Sequence, residues 1–393
     1  MTSSTRFHES ARLTAVQTPV IPIVSQWMAE TPGTISLGQG MVAYGPPDAA
    51  LEAARHFPQH DGEHRYGRVE GLSELSDLFE AKLKAENGIV VRPQSRVVIT
   101  AGSNLGFMNA VLAIADPGDE FIFPLPYYFN HCMAVTMANC VTVGVKTRPD
   151  YQLDVDAIER AITPKTRAVV TVSPNNPTGA VYSEASVRAV NALCQARGIF
   201  HIHDEAYEYF TYDDAKNFSA GSIDGAAPHT ISLYSLSKGY GMASWRVGFM
   251  VIPEALWPAV NKIQDTLLIC NSQIAQRVAV AALQVGSSYP RMHAERIGRL
   301  RPHVRAALAD TSLPIETADV HGAFYYFVRA RTSMSSMALA ERLIREHKVA
   351  VIPGEAFGIT DVCSMRVSFG ALHEATVDEG LGRLTRGLKA LCR

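Results

Sequence analysis

A chain of 393 residues exceeds one ordinary hydrophobic core, so two domains, or one large domain with an appendage, are expected. With 47% hydrophobic and 19% charged residues it has the composition of a soluble globular protein, and a formal net charge of −2 gives no electrostatic ground for nucleic acid or an anionic membrane as partner. No apolar run reaches the roughly eighteen residues of a membrane span, the opening MTSSTRFHES lacks the apolar core of a secretory signal, and six cysteines without CxxC pairing fit reduced thiols in a cytoplasm.

From about residue 95 short apolar runs alternate with helical patterns. Strands are predicted over residues 96–100 (RVVIT), 120–123 (EFIF), 140–145, 168–172, 199–203, 230–234 (TISLY) and 249–252. Helices such as 104–114 and 183–195 lie between them. This alternation predicts an α/β fold, with a mainly parallel, helix-covered sheet in a large domain over residues 45–285. The pattern changes after about residue 255. A long helical region leads to residue 287, and an arginine-rich amphipathic one covers 289–309. A strand at 323–328, a helix at 337–347 and strands at 350–352 and 365–368 follow. Val377, Leu381, Leu384, Leu388 and Leu391 alternate in spacings of four and three, the apolar stripe of a C-terminal helix. A smaller α+β domain is therefore expected, built from residues 1–44 and 286–393.

Five segments sit at or just beyond the C-terminal ends of predicted strands, where α/β proteins place ligands. Gly102-Ser103-Asn104 is a glycine turn opening a helix, whose free N–H groups suit an anion such as phosphate. Tyr128 in Pro126-Tyr127-Tyr128 can present an aromatic face. Ser173-Pro174-Asn175-Asn176-Pro177-Thr178-Gly179 is stiffened by two prolines and a glycine, holding an asparagine amide toward a ligand. Asp204 places an acid at a strand end, with Tyr207 three residues on. Lys238, in Ser235-Leu236-Ser237-Lys238-Gly239-Tyr240, is an amine that condenses with an aldehyde when desolvated, and Arg246 follows eight positions later. Each has a bland counterpart: a strand–helix turn, core packing, a common Asn-Pro turn, a helix cap, a solvated lysine. Together they match the needs of pyridoxal 5'-phosphate, namely a phosphate cradle, a stacking ring, a donor, an acid for the pyridine nitrogen and an amine.

The segments SPNNPTG, HDEAY and SLSKGYGMASWR resemble the class I/II aminotransferases, the fold-type I pyridoxal-phosphate-dependent enzymes. The likeness runs from Ile35-Ser36-Leu37-Gly38-Gln39-Gly40 to Arg366-Val367-Ser368-Phe369 and implies an aspartate-aminotransferase-like fold. It implies that Lys238 holds the cofactor as a Schiff base and carries the proton, that Asp204 pairs with the pyridine N–H, and that Tyr207 and Asn176 bond its phenolic oxygen. Tyr128 would stack on the ring, while Gly102, Ser103, Asn104, Ser235 and Arg246 would grip the phosphate. Arg366 would clamp the substrate carboxylate, with Gly40 giving close backbone approach and Asn176 alongside. Tyr66, in Arg65-Tyr66-Gly67, resembles the tyrosine that reaches the neighbouring subunit's phosphate, which implies a homodimer. The reaction implied is ping-pong transfer of an amino group from an L-amino acid to a 2-oxo acid.

The segment after Gly40, Met41-Val42-Ala43-Tyr44-Gly45-Pro46-Pro47, departs from related members and is apolar; with no clear distal arginine, a neutral or aromatic amino acid is expected. Gly-Gln-Gly is similar to the branch acting on glutamine, methionine, kynurenine and aromatic amino acids. The alternative on the same cofactor is another amino-acid reaction: β-elimination, decarboxylation or oxygen-dependent oxidation. A serine acyl enzyme is excluded, because Ser235-Leu236-Ser237-Lys238 has no S-D-N or K-T-G partner. No metal is expected: His201 and His203 share one strand face without a third ligand, and are read as packing or supporting residues. His131 and Cys132 are read as bland neighbours of Tyr128.

Overall fold

The computed structural model describes residues 9–58 and 60–392. Its large sheet has seven strands: β1 (Ser95–Thr100), β2 (Glu120–Leu125), β3 (Val141–Lys146), β4 (Thr166–Val172), β5 (Phe200–Asp204), β6 (Thr230–Ser235) and β7 (Gly248–Pro253). Their order is β1-β7-β6-β5-β4-β2-β3. β7 is antiparallel to both neighbours, and every other pairing is parallel. The reversal has a local cause. Between β6 and β7 the chain has only the short helix Leu236–Gly239 and a 3-10 turn, not the covering helix that a parallel crossover takes.

The strands read as continuous apolar runs because both faces are covered. Val98, Phe121, Phe123, Val170, Ile202, Ile231, Leu233 and Met250 point to one face, under Phe107, Val111 and Val260 of the helices Ser103–Ile114 and Trp257–Leu268. The alternate positions Val97, Ile99, Tyr234, Phe249 and Val251 meet Phe79 and Val278 on the other. Helix Glu184–Arg197 starts where Ser183 accepts a hydrogen bond from the Ser186 amide, and stops at Gly198 in the left-handed conformation.

The second unit carries a four-stranded antiparallel sheet of β8 (Ile315–Thr317), β9 (Tyr325–Ala330), β10 (Ile352–Pro353) and β11 (Ser364–Ser368), in the order β10-β11-β9-β8. The helices Ser336–His347 and Glu374–Leu391 cover it. Ile35 and Ser36 pair in parallel with Val349 and Ala350, tying the N-terminal segment to this unit. Some boundaries differ from expectation. The helical region 289–309 is two helices, Ser288–Gly298 and Arg301–Leu308, the second with Pro302 in its first turn, where a missing N–H costs nothing. The strand expected from 323 begins at Tyr325, since Ala323 has φ +50°. Strand β8 was not expected at all.

No single helix among the described residues is long and apolar enough to cross a membrane.

Candidate active site

The C-terminal ends of β4, β5 and β6 deliver Asn176, Asp204 and Lys238 to one crevice, and β9 and β11 close it with Tyr325 and Arg366. Lys238 lies on the short helix that Ser235 caps, its hydroxyl accepting from the Ser237 amide at 3.1 Å. The lysine Nζ donates to the Gly40 carbonyl at 2.5 Å. Burial, reinforced by the positive charges of Arg366 and Arg246, pulls its ammonium down to about 8. Near neutral pH this amine is therefore poised to lose its proton and act as a nucleophile.

Arg366 is almost fully buried on β11 and is held at two nitrogens. Nη1 donates to Asn176 Oδ1 at 2.8 Å and Nη2 to the Gly38 carbonyl at 2.6 Å. Its guanidinium lies over the rings of Tyr325 and Phe357, at 4.6 and 5.3 Å. Nε, by contrast, is buried without a hydrogen-bond partner among the described residues. Asn176 Nδ2 donates to Tyr207 Oη at 3.3 Å, and Tyr207 Oη is 2.8 Å from Tyr325 Oη. The neighbouring Asn175 does the structural work of this turn: its Oδ1 accepts from the Thr178 amide at 3.0 Å and hydroxyl at 2.8 Å. That leaves Asn176 free to point at the site.

Asp204 is buried at the end of β5, and its Oδ1 accepts from the Ala206 amide at 2.9 Å. No helix follows, so it is not a helix cap. Oδ2 is 3.1 Å from His131 Nε2, but the contact lacks hydrogen-bond alignment, since neither His131 nitrogen has a bonded partner. The pair is in close contact without a formed hydrogen bond. The His131 ring stacks on Phe107 with centroids 4.0 Å apart and meets the Tyr128 edge at 5.1 Å. His131 thus packs between Phe107 and the Tyr128 edge, close behind the acid. Burial raises the Tyr128 hydroxyl, with the Asp204 charge adding to it and the Asn104 and Asn130 side chains opposing.

The phosphate-sized corner is built by backbone. Gly102, at φ +81°, precedes the helix Ser103–Ile114 and offers it no side-chain cap, so the first-turn N–H groups stay open. A Cβ on residue 102 would stand 2.4 Å from Arg246 Nη2 and would strain a backbone at φ +81°, so glycine suits the position with the guanidinium where it lies. Arg246 Nη1 donates to the Ala243 carbonyl at 3.0 Å and Nη2 to the Ala101 carbonyl at 3.3 Å. Gly40 is a second close approach, since a side chain there would come within 2.7 Å of Tyr325 Oη. An open helix N-terminus beside an arginine, an acid, a depressed lysine and an unpaired buried arginine nitrogen suit the phosphate, ring nitrogen, aldehyde and substrate of a pyridoxal-phosphate enzyme.

Tyr66 does not join this network: it is 80% exposed. His201 and His203 lie inside the sheet layer, where Thr171 Oγ1 is 2.8 Å from His201 Nε2 and 2.7 Å from His203 Nδ1. Two surface cavities of about 610 and 600 Å³ are lined by none of these residues. Sequence reasoning missed Tyr325 and Tyr44, the latter donating to the Lys238 carbonyl at 2.7 Å. Only the aromatic run Phe324-Tyr325-Tyr326 hinted at the first.

The profile of the family described as aminotransferase class I and II matches residues 32–384. An aromatic-amino-acid aminotransferase of Thermococcus litoralis is 33% identical, the match covering 91% of this chain and 92% of that protein. An aspartate aminotransferase of Pyrococcus abyssi is 32% identical, over 90% of this chain and 92% of its own length. Among solved structures, a single mutant of Thermus thermophilus aspartate aminotransferase superimposes with a TM-score of 0.88 at 31% identity, over 97% of this chain and all of that one.

Proposed function

The chain belongs to the class I and II aminotransferases, pyridoxal-phosphate-dependent enzymes, and from that premise we propose which residues do the work and on what substrate. When bound, the cofactor supplies an aldehyde for the amine and an electron sink for the Cα carbanion. Lys238 is the amine that binds it and then the base that moves the proton. Its lowered affinity for protons, to about 8, makes both tasks feasible near neutrality. Asp204 holds the ring nitrogen protonated, backed by His131. Tyr207 and Asn176 bond the phenolic oxygen, and Tyr128 faces the ring. Gly102, Ser103, Asn104, Ser235 and Arg246 hold the phosphate. Arg366 orients the substrate carboxylate, beside Gly40 and Asn176.

The observation that carries this reading is the convergence of Lys238 Nζ, Gly40 and Arg366 through Tyr325 and Asn176. A single carboxylate clamp beside a single amine admits one substrate at a time, which supports ping-pong transfer between an amino acid and a 2-oxo acid. A neutral or aromatic L-amino acid is favoured, because residues 41–47 bring no cationic side chain to the entrance; the Thermococcus litoralis relative is consistent with this. Tyr66 extends to the site of a second copy in a homodimer. Residues 1–44 and 286–393 form the small domain and 45–285 the large one, a division supported by the pairing of Ile35 with Val349. The six cysteines are all free, which favours the cytoplasm.

The test is to add pyridoxal phosphate to the stripped protein and record the visible absorbance. A band should form, fastest above about pH 8, where the Lys238 amine is neutral. It should bleach on adding phenylalanine or methionine, with release of the matching 2-oxo acid, and return on adding a 2-oxo acid acceptor. Lys238→Ala should form no such band. Full turnover by that variant would sink the assignment.

A further inference from the structure

Tyr325 belongs to none of the strand-end motifs, yet the parts of the site meet on it. It is fully buried on β9. Its hydroxyl is 2.8 Å from that of Tyr207, its ring lies 4.6 Å beneath the Arg366 guanidinium, and its oxygen fills the space a Cβ on residue 40 would need.

The direction of the Tyr207–Tyr325 hydrogen bond decides what Tyr207 can do. A tyrosine hydroxyl has one proton to donate and two lone pairs. Asn176 already donates to the Tyr207 oxygen. Were Tyr207 to donate to Tyr325, its only proton would be spent inside the protein. With Tyr325 as donor, both Tyr207 lone pairs are filled and its proton is left for a bound group. The geometry favours this second arrangement. The Arg366 guanidinium lies over the Tyr325 ring at 4.6 Å, and a cation on the ring face draws charge from the hydroxyl and makes it the better donor.

We propose that Tyr325 is a positioning residue: by donating to Tyr207 it commits the Tyr207 proton to the cofactor's phenolic oxygen, while its ring supports the Arg366 guanidinium. The proposal rests on the reading of Tyr207 and Arg366 given above. A donor on the phenolic oxygen draws charge from it and so weakens its hold on the neighbouring proton. Losing the Tyr325 hydroxyl should therefore move the cofactor's spectral transition to higher pH.

The experiment titrates the visible absorbance of the cofactor-loaded wild type, Tyr325→Phe, Tyr207→Phe and the double variant between pH 5 and 10. Tyr325→Phe should raise the midpoint by about half a pH unit to one, and the double variant should titrate with Tyr207→Phe alone. Its kcat should fall about 3- to 10-fold with KM for the amino acid within about two-fold, since the ring under Arg366 remains. Tyr325→Leu, which removes the ring, should raise KM as well. A midpoint unchanged in Tyr325→Phe overturns the proposal, and so does a shift that adds in full to that of Tyr207→Phe. A wild type with no visible band is a different failure, that of the cofactor reading itself.

Discussion

The carboxylate grip proposed for Arg366 rests on a guanidinium that its own neighbours already fix. Asn176 and the Gly38 carbonyl take two nitrogens and two aromatic rings hold the plane. A lysine keeps the charge but neither the planar fork nor the stacking. Arg366→Lys should therefore reduce kcat/KM for amino acids by about 10- to 100-fold, chiefly through KM, about 1.4 to 2.7 kcal/mol of lost transition-state binding. Steady-state kinetics would read this directly; an unchanged KM would remove Arg366 from the carboxylate site. At this scale the sequence was legible where chemistry is written locally. Lys238, Asp204 and Asn176 each follow an apolar strand, and the strand end says where they point. Tyr325 could not be read that way. Its partner Tyr207 is 118 residues distant, and nothing beside Tyr325 separates a site hydroxyl from a core aromatic. The place of His131 behind Asp204 is likewise visible only in the folded chain.

The elements that carry the site are themselves anchored by buried charge. Helix Ser73–Lys82 ends on Lys82, whose Nζ pairs with the Glu208 carboxylate and donates to Asn87 Oδ1 at 2.8 Å. The same ammonium lies 5.3 and 5.0 Å from the rings of Tyr209 and Tyr234. Glu205, next to Asp204, accepts from Tyr234 at 2.7 Å, Ser219 at 2.6 Å and Asn217 at 2.7 Å. Burial raises both Glu205 and Glu208, and Lys82 opposes it at each. Removing the lysine leaves two adjacent buried acids without their cation. Lys82→Ala should thus lower the unfolding free energy by about 3 to 5 kcal/mol, measured by denaturant titration. A loss below about 1 kcal/mol would mean the acids are already neutral and indifferent to it. None of this showed in the sequence, where Lys82 reads as one charge on a helix face. The strands fared better, because a strand buried on both faces is a continuous apolar run. The three-residue β8 is too short to carry a pattern, and the antiparallel direction of β7 is written in the short connection before it rather than in its own residues.

At the scale of the whole molecule, Tyr66 stands 80% exposed on a segment whose Gly67 amide donates to Cys270 Sγ at 3.2 Å. Leu267 and Ile269, close in sequence to Cys270, are also exposed, at 52% and 42%. If two copies meet there, each site takes Lys238 from one chain and Tyr66 from the other. That arrangement has an arithmetical signature. Lys238→Ala and Tyr66→Ala should each be strongly impaired alone, and the protein should elute at twice the chain mass. Mixed in equal amounts and allowed to exchange subunits, half of the dimers pair the two variants. Each such dimer has one site with both residues intact and one with both missing. Activity should return to about one quarter of the wild-type level, half the dimers times half their sites. A site built within one chain gives a different answer, because no mixture then brings an intact Lys238 and an intact Tyr66 together. Activity that stays at the mean of the two separate variants after exchange would therefore assign Tyr66 to its own subunit or to none.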